Sequence, residues 1–227
     1  MSGPARPEPR RHHTLSEVRQ ILRSAGDSVE MATHAFDANP QSPRLQRRLF
    51  GAEQGLLLVR LAAESGARRG ELAVLRFGDL EGRVLTIERG VSRGVIGSTK
   101  SKRSRRLTLG TTTASLVHAH YSAWAERCPS PDHDWLFAPN PMREAFMTAD
   151  ALSHKFRRLA GCAGVPNPAL HRLRHGVAHL VDEGKLLKAH ARLGHSDPST
   201  TLRHYSHVTP PDDEDIANEL DALLNSG

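Results

Sequence analysis

The sequence holds only two cysteines, Cys128 and Cys162, at no spacing that suggests a disulfide framework. Two free thiols in a reducing cytosol are expected. No run of eighteen apolar residues occurs. The most hydrophobic stretch, Gly55-Leu56-Leu57-Leu58-Val59, stops at Arg60 and is too short to span a bilayer, so no membrane association is expected. The first residues carry Arg6, Arg10 and Arg11 with three prolines but no apolar centre, which excludes a secretory signal there. Lysine is scarce as well, with 5 against 26 arginines. Two of those lysines stand together in Ser98-Thr99-Lys100-Ser101-Lys102-Arg103, where a point-charge ammonium stands out among guanidiniums. Arginine-rich, lysine-poor usage fits a GC-rich bacterial genome, and a cytoplasmic, nucleoid-associated location is expected.

What is present is charge of one sign, unevenly placed. With 227 residues, 38% of them hydrophobic, the chain can bury one real core. The net charge is +6, yet residues 211–227 hold six acidic side chains and no Lys or Arg, which leaves the first 210 at +12. A body that basic suits a polyanion such as nucleic acid, because phosphate contacts release condensed counterions. A merely solubilising surface would carry the same charge.

The periodicity describes a mainly α chain with one small antiparallel sheet. Residues 1–13 form a basic arm expected to be disordered. Thr14 and Glu17 make a capping box for a helix running through Val18, Ile21 and Leu22. Residues 25–49 are mixed, with a loop at Asn39–Pro43. Residues 51–65 read as a buried helix ended by Ser65-Gly66. A second helix begins near Arg69, with Leu72 and Leu75 inward and Glu71 exposed. Strands follow at 83–88, within 90–94 as a turn or second strand, and at 105–109. The Lys100 loop joins the last two. From Thr111 a helix presents Leu116, Val117, Tyr121 and Trp124 on one face. Helices are expected at 149–161, 169–182, 185–192 and 198–206. The acidic tail, 211–227, has Ile216, Leu220, Leu223 and Leu224 at helical spacing. Its apolar face either packs on its own domain or meets a neighbouring copy.

Five segments carry chemistry. In Ser65-Gly66-Ala67-Arg68-Arg69-Gly70-Glu71-Leu72 an arginine follows a glycine turn at a helix start, where its fork joins free amide donors. The Lys100 loop is the second. In Leu170-His171-Arg172-Leu173-Arg174-His175, His171 and Arg174 lie three apart on one helical face, a proton carrier beside a clamp for oxygen. His195 follows Gly194 at a helix end. Tyr205, one of two tyrosines, sits in Leu202-Arg203-His204-Tyr205-Ser206-His207. Taken singly, each is more often an ordinary packed histidine or solvated arginine.

In that order, Arg68, Lys100, His171 with Arg174, His195 and Tyr205 resemble the signature of the tyrosine recombinase, or phage integrase, family. The stretches SGARRGELAVLRFGDL, LHRLRHGVAH and LGHSDPSTTLRHYSHV are similar to its boxes well beyond those residues, over about residues 14–210. The resemblance implies the recombinase catalytic-domain fold of DNA breaking-rejoining enzymes. It also implies site-specific DNA recombination, integration or excision of a mobile element, through a 3′-phosphotyrosyl intermediate with no cofactor, metal or ATP. Arg68, Arg174 and His195 would hold the scissile phosphate. Tyr205 would attack it, His171 would take the tyrosine's proton, and Lys100, chosen over Lys102 by analogy, would protonate the leaving oxygen. The partners implied are double-stranded DNA, further copies of the chain in a tetramer on DNA, and an accessory protein.

Three other readings compete. His171, His175 and His179 share a helical face, but Arg172 stands where a zinc protease needs Glu, and a guanidinium repels a dication. A type IB topoisomerase would use the same chemistry. A DNA-binding module without autonomous recombinase activity is the strongest rival. The family's N-terminal core-binding domain, which closes a clamp on DNA, is expected to be absent here.

Overall fold

The computed structural model describes residues 12–99, 104–128, 134–174 and 210–226. Helix α1 (Leu15–Ala38) opens on the expected box. The Glu17 amide donates to Thr14 Oγ1 at 3.2 Å and the Thr14 amide to Glu17 Oε2 at 2.9 Å. It runs further than the sequence pattern suggested, because Ala32 and Phe36 continue its buried stripe as far as Asn39, ahead of Pro40. Helix α2 (Pro43–Ser65) also starts earlier, with Ser42 as N-cap and Pro43 in the first turn, where a missing N–H costs nothing. Its second half is buried nearly all round, from Leu57 to Ser65, and forms the centre of the core. His13, assigned to the basic arm by its composition, is part of the packed domain. It is 3% exposed, stacks edge-on against Phe156 and lies 3.2 Å from the Ala169 carbonyl.

After α3 (Arg69–Ala73) come β1 (Leu80–Glu81), β2 (Val84–Ile87), β3 (Arg89–Ser92), β4 (Val95–Ser98) and β5 (Arg105–Thr108). Strands β1, β2 and β5 form one antiparallel sheet in that order, with Leu85 opposite Leu107. Strands β3 and β4 form a separate ribbon, turned by Arg93 and Gly94 at φ 51° and 79°. Positive φ at both turn residues matches the twist of a two-residue hairpin.

Helix α4 (Thr111–Arg127) has a glycine, Gly110, at its N-cap, so carboxylates from elsewhere serve its free amides. Glu64 accepts from the Gly110 amide at 2.8 Å and Asp221 from the Thr112 amide at 3.1 Å, both favoured by the helix dipole. Tyr121 does not join the apolar face of α4. It is 43% exposed, and His120 takes the inward place, stacked on Phe50 and 2.6 Å from Glu53. The carboxylate pairs one ring nitrogen of a histidine that the pattern of apolar residues ignores.

Helix α5 (Ala149–Cys162) packs across α2 at Gly55, where an added Cβ would come within 3.1 Å of Leu159. It also carries Lys155, whose ammonium donates to the Gly51 carbonyl at 2.7 Å. Burial, reinforced by Arg158, lowers its pKa to about 8. The folded state therefore sheds this proton before the unfolded chain does. The buried charge costs stability in full below pH 8, and stability should rise from about pH 8 to the ordinary lysine pKa of about 10.5. Lys155→Met should be more stable at pH 7 and lose that alkaline rise, as read from urea midpoints across pH.

A C-terminal helix, Pro210–Asn225, lies against β5, α1 and α4. Ile216, Ala217 and Leu220 are each 0% exposed. Asp213 accepts from the Thr108 amide at 2.7 Å, and Arg19 donates to the Leu223 carbonyl at 2.8 Å. Its apolar face is thus covered by its own domain. The helices expected at 185–192 and 198–206 lie outside the described residues. The helix expected at 169–182 is present over residues 170–174, and residues 175–182 lie outside the described residues.

Candidate functional site

The site is built from the end of α2 forward. Gly66 closes α2 in the left-handed region at φ 57° and ψ 23°, which favours glycine. That turn sets Arg68, in extended conformation, as the N-cap of α3. From there its amide donates to Glu71 Oε2 at 2.9 Å and its guanidinium to Glu71 Oε1 at 2.9 Å. Arg105, reaching in from β5, donates to Glu71 Oε2 at 2.7 Å. Glu71 is not exposed, as expected from the sequence, but buried at 2% exposure. Burial pushes its carboxyl up, yet Arg105 and Arg68 outweigh that and hold it below the usual carboxylate range.

The third guanidinium belongs to Arg174, 8% exposed, which donates to the Gly66 carbonyl. Its pKa is lowered to about 10, chiefly by burial and then by Arg68 and Arg105, against the pull of Glu71. Three cations thus gather round one carboxylate.

A cavity of about 630 Å³ opens over this cluster, lined by Arg68, Arg69, Ser153, Arg157, His171 and Arg174 among others. Residues 68 and 174 are more than a hundred apart in sequence and share its wall. His171, one helical turn before Arg174, is exposed at the same cavity while Arg174 is buried beneath it. The arrangement can hold a tetrahedral anion on preset donors with an imidazole at hand. Lys100, His195 and Tyr205 lie outside the described residues, as do Lys102, His175 and His179. Tyr121 faces a different, smaller cavity with Phe77, His118 and Asp134. Among the described residues, no group of three His, Cys, Asp or Glu could hold a metal ion, and no helix is long and apolar enough to cross a membrane.

Sequence reasoning missed Glu71 and Arg105. The signals were present. Glu71 stands three residues after Arg68, the capping-box interval. Arg105 has the same strand parity as Leu107 and so shares its inward face, while Arg106 points out and is exposed. Gly70 fixes the other side of the cluster, because a Cβ there would lie 2.5 Å from the Val91 carbonyl oxygen. Gly70→Ala should push β3 off α3 and cost about 1–3 kcal/mol in a denaturant titration, as overpacking does.

The architecture is that of tyrosine-recombinase catalytic cores. It superposes on the crystal structure of XerA recombinase at TM-score 0.60 and 18% identity, covering 93% of this chain and 65% of that one. The integrase from mycobacterium phage Brujita gives 0.61 and 18%, covering 99% and 66%. The lambda integrase catalytic core gives 0.55 and 18%, covering 82% and 96%. In sequence, residues 17–211 match the model of the phage integrase family, and the chain belongs to that family. It is 26% identical over 176 residues to the ICEBs1 integrase of Bacillus subtilis (strain 168). That match covers 70% of this chain and 46% of that protein, so the chain spans about half the length of this curated relative.

Proposed function

We propose that residues 14–210 form the catalytic domain of a tyrosine recombinase, which breaks and rejoins double-stranded DNA site-specifically through a 3′-phosphotyrosyl link at Tyr205. The observation that carries this reading is the shared cavity. Arg68 and Arg174, from distant segments, line it together with His171. A phosphodiester is an anion that such donors suit, and its transition state puts more charge on the non-bridging oxygens, where preset guanidiniums are most effective.

In this reading Tyr205 Oη forms a bond to phosphorus and loses its proton to His171. A phenol whose free pKa is near 10 needs such a base. The bond from phosphorus to the 5′-oxygen breaks, and Lys100 gives that oxygen a proton, which an always-charged arginine could not. His195 donates a hydrogen bond to the phosphate. The link conserves the bond's free energy, so the 5′-hydroxyl of a partner strand can reverse the step without ATP. Strand exchange between two duplexes calls for several copies of the chain on DNA, and family members such as lambda integrase have been crystallised as a dimer on a DNA core site.

The test is a pool of nicked suicide duplexes randomised around the nick, which removes the need to know the site. Wild type should give a detergent-resistant protein–DNA adduct, and Tyr205→Phe should give none. Equal adduct from both would sink the nucleophile assignment. Binding of the pool with no adduct would make the chain a DNA-binding module.

A further inference from the structure

We propose that Arg105 is a positioning residue: it holds the Glu71 carboxylate in place so that Glu71 can hold Arg68 at the phosphate cavity. The inference rests on the recombinase reading for its functional consequence, while its geometry stands alone. Glu71 Oε2 receives two donors, the Arg68 amide at 2.9 Å and Arg105 at 2.7 Å, and Oε1 receives the Arg68 guanidinium at 2.9 Å. Arg105 therefore shares Oε2 with the Arg68 amide and holds the carboxylate whose other oxygen receives the Arg68 guanidinium. It is not among the residues lining the cavity, so it reaches Arg68 through Glu71, beside its direct charge effect on Arg174.

Ordinary strand packing does not account for an arginine at this position. Its side chain is 10% exposed, and its Nε and Nη1 are buried without a hydrogen-bond partner. An apolar side chain on this inward strand face would cost less than a guanidinium with two unanswered donors. Charge is what the arginine adds. Without it, burial would act on Glu71 with one partner fewer, and a protonated Glu71 would keep only one good acceptor for the two Arg68 donors. Arg68 would then be free to swing, and loss of preset geometry is what weakens electrostatic catalysis most.

The test has two readouts on the full chain. The first is the carboxyl carbon titration of Glu71 by NMR, without DNA, in wild type, Arg105→Met, Arg105→Lys and the outward-facing control Arg106→Met. Glu71 should titrate below the usual range in wild type and in the control, move up by about one pH unit or more in Arg105→Met, and stay low in Arg105→Lys. The second is the rate of adduct formation from the nicked pool. It should fall about tenfold in Arg105→Met, with its acid limb displaced to higher pH, and recover in part in Arg105→Lys. A Glu71 titration that ignores Arg105→Met overturns the proposal, as does a displaced titration with an unchanged adduct rate. If wild type itself forms no adduct while Glu71 responds as expected, the recombinase reading fails and the Arg105–Glu71 coupling stands.

Discussion

Arg174→Met is expected to lower adduct formation by about 10²–10³-fold while making the protein more stable, a combination that few core substitutions produce. The activity loss follows from removing one of the two guanidiniums, Arg68 and Arg174, assigned to the scissile phosphate at the cavity wall. The stability gain follows from its lowered pKa of about 10. The folded state holds this proton less tightly than the unfolded chain. Below pH 10 the charge is present in both states and its burial cost is felt in full. The cost fades only as pH rises from about 10 toward the ordinary guanidinium range. At pH 7 a well-packed methionine should therefore stabilise by about 1–3 kcal/mol, or roughly 2–10 °C in melting temperature. Loss of the donor to the Gly66 carbonyl offsets part of this. A thermal melt beside the adduct assay reads both effects. A destabilised Arg174→Met would mean that the cluster is a structural ion network and not a preset anion site.

Leu220→Ala is expected to cost about 2–5 kcal/mol, a large part of the stability of an ordinary domain. Leu220 is 0% exposed in the bed formed by β5, α1 and α4, and its loss leaves a cavity beside Ile216 and Ala217. The same substitution tells whether the helix sits on its own domain in solution. If it does, the urea midpoint of wild type off DNA will not depend on protein concentration, and Leu220→Ala will lower it equally at every concentration. If neighbouring copies exchanged the helix, the midpoint would rise with concentration.

Much of this was legible in the sequence because it follows local rules. The Thr14–Glu17 box, the Gly66 stop, the inward Leu85 and Leu107 and the apolar spacing of the tail each announce themselves within a few residues. The family resemblance implied that Arg68, His171 and Arg174 meet, and the fold brings these three to one cavity. What was hidden is polar pairing across distance. Glu71 looked exposed because a carboxylate on a short helix usually is, and Arg105, 34 positions on, joins Arg68 in offsetting the cost of its burial. His120 and His13 were missed for the same reason. Each is buried against a partner, Glu53 or Ala169, that no periodicity reveals. The extra lengths of α1 and α2 came from Ala32, Phe36 and Leu49, apolar positions too thinly spread to read as a stripe.

The most direct measurement is the identity of the residue that carries the DNA. The chain has only two tyrosines, and Tyr121 sits by Phe77 at a cavity that neither Arg68 nor Arg174 lines. Mass spectrometry of the nuclease-trimmed adduct should therefore find the nucleotide on the peptide containing Tyr205 and nowhere else. A nucleotide on Tyr121, or on any serine, would contradict the mechanism.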